Sequence, residues 1–217
     1  MIFEALGARN TSRHAVQLRF LLWLEGGGDC YDRASCDERF RRGYRMSSRG
    51  LPKTKALKTC VTRPFWSQGM AFSLRFPFQN SSNVTRQVLG GIFSDDAALN
   101  PFFFNATRVY LPYCSSDGWL GQRPERAQGY YFQGARILRA LLEAVPLLDA
   151  SLVVLGGCSA GGRGAFYHLD AVCGQLETRC VGLLDAAWWV PDQGGHEETA
   201  RQGMELWGAE ALRLDRP

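Results

Sequence analysis

One serine in this chain has neighbours suited to nucleophilic chemistry. The stretch Ser151 to Gly164 reads SLVVLGGCSAGGRG, and its centre, Gly157-Cys158-Ser159-Ala160-Gly161, fits Gly-x-Ser-x-Gly. Leu152, Val153, Val154 and Leu155 form an apolar run of strand length before it, and Ala165 to Leu176 after it is helix-like with few breakers. A serine held clear of the backbone needs a buried strand, a tight strained turn and a helix, with only small residues around the turn. The N–H groups that open the helix face the oxyanion that forms when the hydroxyl attacks an ester. Ser159 is therefore the candidate nucleophile, and Ala160 the candidate donor of one oxyanion N–H.

In a chain with 24 glycines this pattern alone is weak. A second stretch strengthens it. Leu21 to Cys36, LLWLEGGGDCYDRASC, is another apolar strand running into three glycines. In α/β-hydrolases a second oxyanion donor comes from a loop after an early strand. Gly27 and Gly28 are the candidates, since glycines let backbone approach substrate closely.

Four blocks then occur in order: Leu24-Glu25-Gly26-Gly27-Gly28 with Cys30; Tyr113-Cys114-Ser115-Ser116-Asp117-Gly118-Trp119; Gly157-Cys158-Ser159-Ala160-Gly161-Gly162; and Leu184-Asp185-Ala186-Ala187-Trp188-Trp189. Together they resemble the pectin acetylesterase and Notum family, over about residues 16 to 58 and 90 to 210. The resemblance implies a serine carboxylesterase that cleaves acyl esters from a polysaccharide or a lipidated protein. It implies an acyl pocket near Trp119, Trp188 and Trp189, a bond between Cys30 and Cys36, and no cofactor or metal. The family has a tryptophan at the position of Gly28 (animal deacylase) or Asp29 (plant enzymes), and this chain has neither.

A hydrolase serine also needs a histidine base oriented by a carboxylate, in the order Ser, Asp, His. The chain has three histidines. His14 precedes the first strand and has the wrong order. His168 lies along the helix, roughly 13 Å down its axis from Ser159, and points away from the turn. His196 has the right order, with Asp185 or Asp192 as orienter, but precedes the later strands of such a sheet. The expectation is that the triad's Asp and His are missing and the later strands with them. The competing function is then a truncated, non-catalytic family member that at most binds an ester or glycan ligand. A disulfide-rich binding module would leave the Gly-x-Ser-x-Gly turn unexplained.

The remaining segments position these residues. Strands are expected near 16–24, 107–112, 151–156 and 181–184. Ser35 and Glu38 suggest a capping box for a short basic helix to about Met46. Apolar residues at helical spacing (Ile137, Leu138, Leu141, Leu142, Val145) mark a helix that Pro146 ends, and Glu197 to Leu212 a last one. Strand and helix alternate, which predicts one α/β domain: an α/β-hydrolase-like, mostly parallel sheet with helices on both faces. Thr59 to Leu89 breaks the pattern. It carries Pro64, Pro77 and scattered aromatics without a period, and reads as an insertion that is either a lid or mis-spliced sequence.

Composition bounds the rest. The 217 residues are 46% hydrophobic, enough for one globular core. The net charge of +4 is modest and spread out, apart from the cluster at 39–45, so nucleic acid is a poor partner. No apolar run reaches the length of a membrane span. Seven cysteines and sequons at Asn10, Asn80, Asn83 and Asn105 point to the secretory pathway, although Met1 to Leu6 is no signal peptide.

Overall fold

The computed structural model describes residues 18–44, 46–47, 91–94, 96–187 and 196–209. The expected insertion at 59–89, His14, Trp188, Trp189 and Asp192 lie outside them.

Among the described residues four strands form one parallel sheet: β1 (Arg19–Leu24), β2 (Thr107–Leu111), β3 (Leu152–Cys158) and β4 (Arg179–Asp185), in the spatial order β2-β1-β3-β4. Each coincides with an expected strand, within a few residues at the ends. The central pair, β1 and β3, reads as continuous apolar sequence because both of its faces are buried. On one face Leu22, Leu24, Val109, Val153 and Leu155 pack under α2 (Gly134–Ala144) and α3 (Ala160–Cys173). Leu138 and Leu141 of α2 and Ala165 and Val172 of α3 close this core. Side chains of this kind stabilise by about 1.5–3 kcal/mol each when fully buried. On the other face Leu21, Trp23, Tyr110 and Val154 meet Phe93, whose ring sits edge-on to Trp23 and Tyr110.

A third cluster lies beyond the carboxyl ends of the strands. It joins Cys30 and Cys36 to Leu120, Phe132, Leu206 and Trp207. The last two belong to α4 (His196–Trp207), and the Trp207 indole donates to the Cys30 carbonyl at 2.7 Å. Arg123 ties α4 down further through the carbonyls of Glu205 and Leu206.

Two local readings change. The first helix, α1 (Arg33–Arg41), is capped by Asp32, not Ser35. Asp32 accepts from the Ser35 N–H at 2.7 Å, and Ser35 Oγ accepts from the Asp32 N–H at 3.1 Å. Ser35 is thus the third helical residue of a reciprocal capping box, and Glu38 is left to pair with Arg41 and Arg42 on the surface. The helix after the serine starts at Ala160 and takes in Gly161, Gly162 and Gly164. Glycine is a poor helix former, so propensity places the start later. Packing overrides it, as the site makes plain.

Cys30 and Cys36 are disulfide-bonded, as the resemblance implied, and Cys173 bonds Cys180 at the β4 end of α3.

Candidate active site

Ser159 occupies the turn between β3 and α3 with φ 55° and ψ −120°, a conformation that costs an L-residue on the order of 1–3 kcal/mol. Its backbone N–H donates to the Asp185 carbonyl at 2.9 Å, and its carbonyl accepts from the Arg163 N–H at 3.0 Å. Those two bonds tie the turn to β4 and to the first turn of α3. The residue is half-buried, and no described side chain hydrogen-bonds its hydroxyl.

The flanking glycines are required by contact. A Cβ on Gly157 would stand 2.7 Å from the Leu24 carbonyl oxygen, and one on Gly161 would run into that same atom. A Cβ on Gly162 would stand 2.5 Å from the Ala187 Cβ, and one on Gly164 would stand 2.5 Å from the Trp119 Cβ. The start of α3 therefore lies directly on the ends of β1, β3 and β4 and on the loop after β2. Nothing larger than hydrogen fits. Its first N–H groups, beginning with Ala160, have no partner in the helix and carry its positive dipole end.

The glycine loop after β1 reaches the same place. β1 lies beside β3 in register, Leu24 opposite Gly157, so both loops emerge at the carboxyl ends of neighbouring strands. Such sheets build their sites there. Gly26 makes the close approach: a Cβ on it would collide with the Cys158 carbonyl oxygen and stand 3.1 Å from the Ser159 Cβ. Gly27 and Gly28 come next with φ 149° and 70°, values that suit glycine. A Cβ on Gly27 would meet the Tyr113 ring, and one on Gly28 the Arg39 guanidinium. The Gly27 carbonyl accepts from Arg39 Nη2 at 2.6 Å, which fixes that peptide.

The loop after β2 buttresses both. Tyr113 donates its N–H to the Glu25 carboxylate at 2.7 Å, and its hydroxyl accepts from the Gly118 N–H. Burial, then the carboxylates of Asp117 and Asp29, push the phenol well above its ordinary pKa, so it stays protonated. Asp117 is fully buried and accepts from Ser115 Oγ, the Trp119 N–H and the Gly134 N–H. Burial raises its pKa, and those three donors oppose the rise.

Trp119, which the resemblance implies is near an acyl pocket, lies beneath the glycine loop. The side chain is fully enclosed. Its ring stacks on Tyr113 with centroids 5.3 Å apart, and its indole N–H donates to the Glu25 carbonyl at 2.9 Å. The gap left by Gly164 receives it. Trp119 wedges the glycine loop against α3.

His168 points away from the serine, as the helix geometry predicts. Its Nε2 lies 2.8 Å from the Trp119 carbonyl, which only accepts, so that nitrogen carries the proton. Burial lowers its pKa, the bond to Trp119 opposes this, and Arg139 adds to the lowering. His196 is the first residue of α4, and its side chain is not among those described. Asp185 is tied to Cys158, whose thiol is pushed up in pKa by burial and by that carboxylate.

Three features of the site have no sequence signal: the approach of Gly26, the Arg39 brace, and an ion pair between Asp29 and Arg163 that joins the glycine loop to α3. No group of three or more metal-ligating side chains clusters among the described residues.

The chain is similar to known proteins in sequence and overall fold. The chain is 31% identical over 212 residues to human palmitoleoyl-protein carboxylesterase NOTUM, covering 87% of this chain and 36% of that protein. It is 28% identical over 211 residues to the planarian (Schmidtea mediterranea) carboxylesterase NOTUM, covering 87% of this chain and 34% of that protein. A crystal structure of the Wnt deacylase Notum from Drosophila superposes with a TM-score of 0.65 at 28% identity, covering 90% of this chain and 53% of that one. The chain thus spans about a third of the length of these curated relatives and about half of the solved one. A profile described as Pectinacetylesterase matches residues 77–208, more than half of the sequence, and the chain belongs to the pectinacetylesterase family.

Proposed function

We propose that this chain carries the nucleophile half of a serine carboxylesterase. Ser159 attacks the carbonyl of an acyl ester, and the N–H groups of Ala160, Gly27 and Gly28 receive the oxyanion. The observation that carries this reading is the strained Ser159 at the head of α3 with Gly26 of the loop after β1 packed against it. An oxyanion donor of this kind is typically worth about 3 kcal/mol in the transition state. The relatives are named palmitoleoyl-protein carboxylesterases and a Wnt deacylase, so a lipidated protein is the substrate class they favour. An acylated polysaccharide is the alternative that the family's description carries. Trp188 and Trp189, next after β4 in sequence, are the residues we assign to the acyl pocket. A secreted protein is the reading that the two disulfides and the sequons support.

A second reading has its own observation. Among the described side chains the sole histidine, His168, is bound to the Trp119 carbonyl and does not face Ser159. The chain would then hold an ester or glycan ligand without turning it over. Intact-mass measurement after exposure to an activated short-chain ester separates the two. Acylation that Ser159→Ala abolishes supports the nucleophile. Equal acylation of both proteins at scattered residues sinks it.

A further inference from the structure

We propose, on the reading of Ser159 as nucleophile and of Gly27 and Gly28 as oxyanion donors, that Asp29 and Arg163 are positioning residues. Their ion pair sets where the Gly27 and Gly28 N–H groups stand relative to Ser159.

Glycine is the residue least able to fix its own backbone. Gly27 and Gly28, at φ 149° and 70°, hold two of the proposed donors on such backbone. The directions of those N–H groups are therefore set by what grips the segment from outside. Arg39 donates to the Gly27 carbonyl at 2.6 Å and so fixes the peptide that bears the Gly28 N–H. At the upstream end Gly26 lies against the Ser159 Cβ. At the downstream end the first side chain after the glycines is Asp29, whose carboxylate accepts from the Arg163 guanidinium.

Arg163 returns this grip to the nucleophile. Its backbone N–H donates to the Ser159 carbonyl at 3.0 Å, one helical turn after the serine. The segment from Gly26 to Asp29 is thus tied at both ends to the turn that holds Ser159. Cys30, next in sequence, bonds Cys36 of α1 and donates its N–H to the Ser116 carbonyl at 3.0 Å. Those bonds fix the loop to α1 and to the loop after β2, whereas the ion pair fixes it to α3.

The pair is also sheltered. The Gly118 backbone lies over it: a Cβ on Gly118 would stand 3.7 Å from Asp29 Oδ2 and 3.9 Å from Arg163 Nη2. The Asp29 and Arg163 side chains are 22% and 19% exposed, so salt screens them less than a surface pair. Precision matters at this place, since moving a group by about 1 Å costs on the order of a hundredfold in rate.

The test is Ser159-dependent acylation of the full chain by p-nitrophenyl acetate, parent minus Ser159→Ala, over a range of ester concentrations. Arg163→Met should lower the maximal rate by about tenfold or more and leave the half-saturating concentration unchanged, because the donors act on the oxyanion and not on the bound ester. Arg163→Lys keeps a cation for Asp29 and should recover most of the rate. The double variant Asp29→Leu with Arg163→Met separates positioning from stability. It leaves no lone shielded charge, so its urea midpoint should return towards that of the parent while its acylation stays as slow as that of Arg163→Met. Hydrogen exchange of the Gly27 to Asp29 amides, read by mass spectrometry in the folded proteins, should be faster in both variants. A rate that recovers together with stability, or exchange that does not change, overturns the proposal and leaves the nucleophile reading standing. Absence of Ser159-dependent acylation in the parent overturns that reading and the proposal with it.

Discussion

Gly26 and Ser159 are in contact across the carboxyl ends of β1 and β3: a Cβ on Gly26 would stand 3.1 Å from the Ser159 Cβ and collide with the Cys158 carbonyl. The obstacle is backbone on one side and a strained turn on the other. Neither can yield without moving Ser159. Gly26→Ala should therefore destabilise by about 1–3 kcal/mol, as overpacking does in a tight core. It should also slow acylation of Ser159 by more than the fraction unfolded explains. Urea denaturation and intact-mass acylation kinetics on the same protein test both. A Gly26→Ala variant of unchanged stability and acylation rate would mean that the two loops are not held this closely.

How much of this was legible beforehand follows from what each feature depends on. The strands were, because a doubly buried parallel strand has to be a continuous apolar run, as Leu21 to Leu24 and Leu152 to Leu155 are. The position of Ser159 was, because the motif encodes its own turn. The start of α3 was not: Gly161, Gly162 and Gly164 argue against helix locally, and only the Leu24 carbonyl, Ala187 and Trp119 across the fold explain them. The contacts of Trp119 were not legible for a related reason, since a tryptophan in a pocket wall and one wedged beneath a loop look the same in sequence. The brace from Arg39 to Gly27 and the pair Asp29–Arg163 join residues whose partnership no local pattern marks.

That ion pair gives the second prediction. Asp29 and Arg163 side chains are about four-fifths shielded, and they connect the glycine loop to the helix that begins beside Ser159. A shielded charge left alone costs more than the pair contributes. Arg163→Met should destabilise more than the double variant Asp29→Leu with Arg163→Met. The difference should be about 1 kcal/mol or more by thermal or urea melts. If the two single changes and the double change add, the residues are not coupled.

His168 sets a pH dependence. Its pKa is lowered from 6.5 by burial, so the folded chain binds a proton there less readily than the unfolded chain does. Above pH 6.5 both states are neutral at this residue and its contribution is complete. As pH falls below that value the unfolded state takes up the proton first, and stability is lost until the lowered folded value is passed. His168→Gln keeps a donor for the Trp119 carbonyl and cannot titrate. It should flatten this part of the stability-against-pH curve, measured by urea melts at closely spaced pH values. A variant with the same slope as the parent would place the titration elsewhere.

The last prediction concerns turnover. Ser159 has the strained turn, the helix N-terminus and the glycine loop of a nucleophile, and no described side chain bonds its hydroxyl. A neutral hydroxyl without a base is a poor nucleophile. On the proposed reading the backbone donors serve only the oxyanion, and such a site retains a residual of about 10³ to 10⁴ over water, far below a working triad. The chain of 217 residues should therefore hydrolyse p-nitrophenyl acetate slowly. Imidazole added to the medium supplies a mobile base and should accelerate the reaction further in the parent than in Ser159→Ala, which reports the free imidazole reaction alone. Equal acceleration in both would show that the hydroxyl is not poised for attack. Rapid turnover without imidazole, abolished by Ser159→Ala, would show instead that a base reaches Ser159 within this chain. His196, at the head of α4 and later than Ser159 in sequence, is then the residue to replace.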